Sequence, residues 1–120
     1  MPNDDKIKLD FRLAADVLLN SSDTAASLFH RDDFSVVLYI PQDTDQQTPH
    51  SRDELYIVIS GYGTFRRGQE LVRFSPGDVL FVAANTPHRF ESFSGDFRTW
   101  AVSSDRALSL TGNRVASCQV

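Results

Sequence analysis

From residue 34 onwards the sequence is a succession of short apolar runs separated by turn residues. Residues 34–40 are rich in β-branched and aromatic side chains and stop at Pro41, while residues 54–60 (ELYIVIS) stop at Gly61. Such runs, bounded by glycine or proline, are typical of β-strands. Further runs of this kind cover residues 64–67, 70–74, 79–82, 89–93 and 97–103. Short strands at this spacing predict a β-sandwich or a β-barrel.

The connections between the runs carry turn and loop chemistry. Gly68 and Gln69 separate two runs and predict a hairpin turn. In the sequence Ser-Pro-Gly-Asp at residues 75–78, the proline fixes φ and the glycine can adopt a positive φ, which predicts a second turn.

Residues 41–49 (PQDTDQQTP) are polar and lack an apolar pattern, which predicts a loop. This loop contains three neighbouring oxygen-bearing side chains, those of Asp43, Asp45 and Gln46. We interpret them as solvated loop residues rather than as a calcium site, because an acidic cluster on a polar loop is most simply hydrated.

The first 33 residues do not follow the strand pattern. Residues 13–19 predict about two turns of helix with Leu13, Val17 and Leu18 on one face. We therefore divide the chain into three parts: an N-terminal extension at residues 1–33 that packs on a barrel, the barrel itself at residues 34–102, and a C-terminal tail at residues 103–120.

The size and charge of the chain argue against several classes of protein. With 120 residues the chain has the size of one domain, and its net charge of −4 without a basic stripe argues against nucleic-acid binding. No apolar run approaches the roughly 20 residues of a membrane helix, and residues 1–12 lack the apolar core of a secretory signal. The single cysteine, Cys118, excludes an intramolecular disulfide. These features predict a cytoplasmic protein that binds neither nucleic acid nor membrane.

Three side chains are candidate metal ligands, namely His50, Glu54 and His88. Side chains alternate between the two faces of a strand, so Tyr56 shares a face with Glu54, and Phe90 shares one with His88. In a small barrel both of these faces can point inward. Two imidazoles and one carboxylate leave open metal positions for water or substrate. The alternatives are histidines at a barrel mouth and a solvated glutamate at a strand end.

These residues lie within two motifs that resemble those of the cupin superfamily. The first cupin motif reads G-x5-H-x-H-x3–4-E-x6-G, and His50, Glu54 and Gly61 fall at matching positions. The second motif reads G-x5-P-x-G-x2-H-x3-N, and Gly77 and His88 match it. The flanking sequences DELYIVISGYGTF and PGDVLFVAANTPHRF are cupin-like as well. The resemblance covers residues 34–102.

The sequence departs from the cupin pattern at five positions. The most consequential is Thr48, which stands where the family has its first histidine, so the resemblance implies an open site with two histidines and one glutamate. Water is one candidate for the fourth position and the neighbouring Gln47 is another, although its place in the alternation is wrong for a regular strand. The other departures are Gln42, Ala83, Asn85 and Ser92.

The resemblance implies an all-β protein, a small single-domain cupin of type 2 with a double-stranded β-helix (jelly-roll barrel) and a short N-terminal helical or irregular segment. It also implies one divalent metal ion (Fe, Mn, Ni or Zn) held by His50, Glu54 and His88, in a pocket to which Tyr56, Phe90 and Trp100 contribute.

Three kinds of function follow from such a site. One is a metal-dependent oxygenase, isomerase or decarboxylase acting on a small molecule, and the alternative is a cupin that binds or senses a small molecule without catalysis. A barrel whose site has decayed is the third. We expect a homodimer, because a two-fold dimer is the commonest assembly of small proteins.

Overall fold

The structure is a computed structural model, and it describes residues 7–31, 33–45, 47 and 49–104. This part of the chain contains one helix and eight strands. In chain order they are α1 (Phe11–Leu19), β1 (Ala25–Arg31), β2 (Phe34–Tyr39), β3 (Asp53–Ser60), β4 (Gly63–Arg67), β5 (Glu70–Phe74), β6 (Val79–Val82), β7 (His88–Phe93) and β8 (Arg98–Ser104). Each apolar run of the sequence lies in a strand whose ends differ from the run by at most one residue.

The strands form two antiparallel sheets. The larger sheet has the order β1-β2-β8-β3-β6 and the smaller one the order β5-β4-β7. In the larger sheet β8 pairs with both β2 and β3, so strands from the two ends of the chain meet at its centre. The hairpin predicted at Gly68 joins β4 to β5, with Arg67 opposite Glu70.

The apolar core lies between the two sheets. It contains inward-facing residues of both sheets, and its largest members are aromatic. The ring of Phe90 lies 4.7 Å from that of Phe97 and 4.8 Å from that of Phe65, measured between centroids. The buried members of this core are Tyr56, Val58, Phe65, Phe74, Val82, Phe90, Phe97 and Ala101. Close packing of these rings fixes the inner faces of β3 and β7, where two of the candidate ligands lie.

Helix α1 packs on the opposite face of the larger sheet. It begins at Phe11, after the side chain of Asp10 accepts a hydrogen bond from the Leu13 backbone N–H at 3.1 Å. This bond satisfies one of the free amides of the first turn. The described part of the chain contains no helix long and apolar enough to span a membrane.

The buried face of α1 differs from the predicted one. Leu13 and Val17 are exposed, whereas Ala14, Ala15 and Leu18 pack against the sheet. The prediction of the buried face relies on large apolar side chains, whereas in the structure the two small alanines let the helix approach the sheet closely. The helix therefore covers the outer face of the larger sheet rather than closing the barrel.

Strand β1 is absent from the sequence-based prediction. Its sequence, AASLFHR, contains no valine, isoleucine or threonine and one phenylalanine, so its residue types favour a strand only weakly. It pairs antiparallel with β2 along its length, with a register shift between Ser27 and Phe29. Pairing with a neighbour thus produces a strand that local sequence does not indicate.

Candidate metal centre

Two strands and one loop bring the three candidate ligands together. Glu54 is the second residue of β3, and its side chain shares the inner face with Tyr56. His88 is the first residue of β7 and is buried. His50 lies in the loop before β3. The sequence-based placement of both strand residues on inward faces therefore agrees with the geometry.

The three side chains converge on the carboxylate of Glu54. Its Oε1 atom lies 3.4 Å from Nε2 of His50 and 3.4 Å from Nε2 of His88. One ligand atom from each residue lies within 4.8 Å of the other two. The side chain of His88 is 1% exposed, that of Glu54 12% and that of His50 38%, so the cluster runs from the barrel interior to its mouth.

The orientation of His88 is set by its second ring nitrogen. Nδ1 lies 2.8 Å from the backbone carbonyl of Thr86, and a carbonyl only accepts, so Nδ1 carries the hydrogen. The lone pair of the neutral ring is then on Nε2, which faces Glu54. A hydrogen bond of this kind is the usual support of a metal-binding histidine.

Two further polar side chains complete the cluster. The Tyr56 hydroxyl lies 2.9 Å from Oε1 of Glu54, 2.8 Å from Oε1 of Gln47 and 3.2 Å from Nε2 of His88. The same Gln47 oxygen lies 3.3 Å from Nε2 of His50. Gln47 lies between β2 and β3 and belongs to neither strand, so the alternation of a strand does not apply to it.

Backbone hydrogen bonds fix the loop that carries His50. The Asn85 N–H donates to the His50 carbonyl at 2.5 Å, and the Ala84 N–H donates to Oδ1 of Asp53 at 2.7 Å. Asn85 has a φ of 64°, a left-handed conformation that asparagine tolerates better than most residues. The turn between β6 and β7 thereby ties the segment of His50 to the segment of His88.

Burial and hydrogen bonding act in opposite directions on the two buried ionisable ligands. Burial raises the pKa of Glu54, but the hydrogen bonds from His88 and Tyr56 and the charge of His50 outweigh it, so the pKa lies below its usual value. Burial lowers the pKa of His88, but the protonated ring donates from Nε2 to Glu54 and from Nδ1 to the Thr86 carbonyl, and these bonds raise the pKa above its usual value. The carboxylate is thus charged at neutral pH, as a metal ligand requires.

The raised pKa of His88 predicts that metal affinity falls in mild acid. A ligand imidazole must lose its proton before it binds metal, so protons compete with the ion below this pKa. We expect the apparent dissociation constant for Ni²⁺ to rise up to about tenfold per pH unit below the His88 pKa, when titrations are compared from about pH 8 to about pH 5. An affinity independent of pH over this range would contradict the prediction.

The metal-free protein should respond to pH in the opposite sense. Because the folded pKa of His88 is raised, its contribution to the free energy of unfolding is present below the unfolded pKa and is lost as pH rises through the folded pKa. Chemical denaturation of chelator-treated and metal-loaded protein, each measured across the same pH range, separates the two effects.

A cavity of about 690 Å³ opens in front of the cluster. His50, Glu54, Gln47 and Tyr56 form part of its wall, and the remaining wall is mostly small or polar. No lysine or arginine lies among the described residues that line it. The other lining residues are Ser22, Thr24, Ala25, Val37, Tyr39, Gln42, Asp43, Thr44, Ala101 and Ser103.

The remaining sequence-predicted pocket residues lie in different places. Phe90 is a core residue beneath the cluster, with its ring 5.0 Å from that of Tyr56. The structure does not bring Trp100 to the cluster, because it lies on the outer face of β8 and its ring packs 6.1 Å from that of Phe11. Thr48, the position of the missing histidine, lies outside the described residues.

The interpretation of Asp45 as a solvated loop residue is wrong. Asp45 is only 5% exposed, and its carboxylate accepts hydrogen bonds from the Tyr39 hydroxyl, from Nε2 of Gln47 and from the Phe90 N–H. Three donors, one from β2, one from β7 and one from the same loop, compensate for its burial. No local signal distinguishes Asp45 from Asp43, which is exposed two residues earlier.

The comparison with known protein families identifies the class to which this barrel belongs. The family described as "Cupin domain" (Cupin_2) matches residues 35–99, which is more than half of the chain. The chain therefore belongs to the cupin family, as its two motifs predict.

One curated relative matches about half of the chain. An uncharacterized protein of Streptomyces coelicolor is 39% identical over 59 residues, which are 49% of this chain and 56% of that protein. This chain thus matches little more than half the length of that relative.

Solved structures share the fold. KdgF from Halomonas sp. superposes with a TM-score of 0.61 at 20% identity, covering 72% of this chain and 82% of that one. A cupin protein from Bacteroides fragilis also has a TM-score of 0.61, at 19% identity, covering 100% and 98%. Likeness at these identities shows the fold, and it confirms the predicted all-β cupin barrel.

Proposed function

We propose that this chain is a metal-binding cupin that holds one divalent ion between His50, Glu54 and His88. The observation that supports this proposal is the convergence of their three ligand atoms within 4.8 Å, beside an open cavity that His50 and Glu54 line. Two imidazole nitrogens and a carboxylate oxygen form a donor set that suits Fe²⁺, Mn²⁺, Ni²⁺ or Zn²⁺. The Nδ1 hydrogen bond of His88 presents the correct nitrogen for binding.

Such an ion supplies Lewis acidity and open positions that can hold the oxygens of a small molecule. The chain's own groups then bind and orient that molecule. The Tyr56 hydroxyl stays protonated, because burial and the charge of Glu54 raise its pKa. It therefore acts as a hydrogen-bond donor at the centre of the cluster and not as a base.

The cavity wall favours a ligand with an uncharged, hydroxyl-bearing body. Its described side chains offer hydroxyls, amides and carboxylates, whereas an anionic ligand would find no lysine or arginine there. The metal ion itself would be the only strong partner for an acidic group. A small polyhydroxylated molecule that binds the ion through adjacent oxygens fits this lining.

The reaction class depends on which side chains of the cavity wall can donate or accept a proton. Oxygenase, isomerase and decarboxylase activities are the classes that cupin membership supports, and an isomerase would need a group that moves a proton. Tyr39 is hydrogen-bonded to Asp45 and its pKa is raised by burial, so it is a poor acid or base. Of the described wall residues outside the cluster, this leaves Asp43 as the one carboxylate available to a ligand.

This shortage of acid–base groups favours a second candidate, in which the barrel binds or senses a small molecule without converting it. The two candidates share the metal site and differ in turnover. A ligand retained in native mass spectrometry, with no product formed from it, would support the second candidate.

The test of the metal site is elemental analysis of protein purified without a chelating tag, followed by titration of chelator-treated protein with Mn²⁺, Fe²⁺, Ni²⁺ and Zn²⁺. We expect one ion per chain and competition among the four ions for one site. Protein that carries no metal and binds none of the four would refute the proposal.

A further inference from the structure

Asp45 makes three hydrogen bonds, two to barrel strands and one within its own loop. One carboxylate oxygen accepts from the Tyr39 hydroxyl, and the other accepts from Nε2 of Gln47 at 2.8 Å and from the Phe90 N–H at 2.7 Å. Asp45 is 5% exposed, so these bonds lie away from competing water.

These bonds determine which end of the Gln47 amide faces the metal ligands. A carboxylate can only accept, so the amide nitrogen of Gln47 must point to Asp45. The amide oxygen is thereby directed to the other side, where it lies 2.8 Å from the Tyr56 hydroxyl and shares the single hydrogen of that hydroxyl with Glu54. The same oxygen lies 3.3 Å from Nε2 of His50. In the reverse orientation the amide oxygen would face the acceptor-only carboxylate of Asp45, and the amide nitrogen would face the Tyr56 hydroxyl.

We propose that Asp45 is a positioning residue, which fixes the Gln47 amide so that its oxygen serves as the fourth protein ligand in place of the missing histidine. This inference rests on the proposed metal site at His50, Glu54 and His88. A neutral amide oxygen is an accepted ligand of hard and borderline divalent ions. Asp45 itself does not touch the ion, because both of its oxygens are engaged elsewhere.

A double-mutant cycle on Asp45 and Gln47 tests the proposal. The dissociation constant for Co²⁺ is measured for Gln47→Ala, Asp45→Ala and the double variant, together with the visible absorption spectrum of bound Co²⁺, which reports its coordination. We expect each single variant to weaken binding by about 10–100-fold, the range found when the support of a ligand is removed. The double variant should weaken it no further, and all three should share one altered spectrum.

Asp45→Asn separates orientation from charge. Oδ2 of Asp45 accepts from the fixed Phe90 N–H as well as from Gln47, so the oxygen of an asparagine has to occupy that position. The amide of Gln47 then keeps its orientation, and we expect a clearly smaller loss of affinity than in Asp45→Ala. Asp16→Ala, which removes an exposed carboxylate on α1, is the matched control and should leave Co²⁺ binding unchanged.

Several outcomes would overturn the proposal. One is a Gln47→Ala protein with the affinity and spectrum of the original chain, and another is a double variant whose loss is the product of the two single losses. If Asp45→Ala does not fold, Asp45→Ser takes its place in the cycle, since its hydroxyl is too short to reach Gln47. Failure of the metal site itself would show differently, as absence of Co²⁺ binding in the unmodified chain.

Discussion

Replacing Glu54 by glutamine should remove metal binding almost completely while leaving the fold intact. The carboxylate of Glu54 is the only anion among the three candidate ligands. Nε2 of each histidine lies 3.4 Å from Oε1 of Glu54. Because loss of a supporting residue already costs about 10–100-fold in metal affinity, loss of the central ligand should exceed about 100-fold. The lowered pKa of Glu54 and the raised pKa of His88 show that the two charged groups stabilise each other in the metal-free fold, so Glu54→Gln should also lower its thermal midpoint. Isothermal titration with Ni²⁺ and circular dichroism measure the two effects.

The matched control is Glu70→Gln. Glu70 is exposed and its carboxylate pairs with Arg67 and with none of the three ligands, so this change should leave Ni²⁺ affinity unaltered. Any turnover found for the unmodified chain should disappear in Glu54→Gln together with the metal. A Glu54→Gln protein that keeps both the ion and full turnover would contradict the proposed ligand set.

Gly61→Ala should destabilise the barrel far more than Gly77→Ala. Both glycines have left-handed φ angles, 86° and 92°, so both substitutions carry a strain of about 1–2 kcal/mol. A Cβ atom at Gly77 meets no atom within 4 Å. At Gly61 it would lie 2.7 Å from the backbone nitrogen of Phe97 and closer still to its Cα, so the backbone must move. We expect Gly61→Ala to cost about 1–3 kcal/mol more than Gly77→Ala.

This comparison separates backbone strain from steric contact. Both glycines have a positive φ, but only a Cβ at Gly61 would meet neighbouring backbone atoms. Urea denaturation of the metal-free variants gives the free energies of unfolding. Equal losses at the two positions would show that Phe97 does not approach Gly61 as closely as described. The result also bears on the first cupin motif, since Gly61 is its last position.

The sequence predicts most of the strands, because their signal is local. The side chains of residues 54–60 alternate between the two faces of β3 as predicted, and the turn residues that follow define where the strand ends. Strand β1 escapes prediction since its alanines and leucine are compatible with several structures, and only pairing with β2 selects one. The exposed Leu13 and Val17 on α1 show the same limit, because contact with the sheet and not residue size decides which face is buried.

The candidate ligands are predictable for a different reason. Motif spacing identifies His50, Glu54 and His88 without any knowledge of the fold, and the structure brings them together. The sequence offers Gln47 as a candidate only because it neighbours Thr48, and it gives no indication that Asp45 contacts both Gln47 and the Phe90 N–H. Side chains on strands can be placed by alternation, whereas side chains on loops cannot.

Three other expectations from the sequence stay predictions. They are the homodimer, the cytoplasmic location, and the division of the chain at residues 33 and 102. Size-exclusion chromatography with light scattering tests the first of them directly. The C-terminal tail beyond Ser104 lies outside the described residues.

The bond between Asp45 and the Phe90 N–H has a consequence for the behaviour of the protein in solution. β7 is an outermost strand of the smaller sheet, and free amides on such a strand can recruit a strand from another molecule. The carboxylate of Asp45 occupies one of these amides in the middle of β7. The loop that carries Asp45 therefore covers part of the open edge of the smaller sheet. Detachment of this loop would disable the site and create an aggregation-prone edge in the same event.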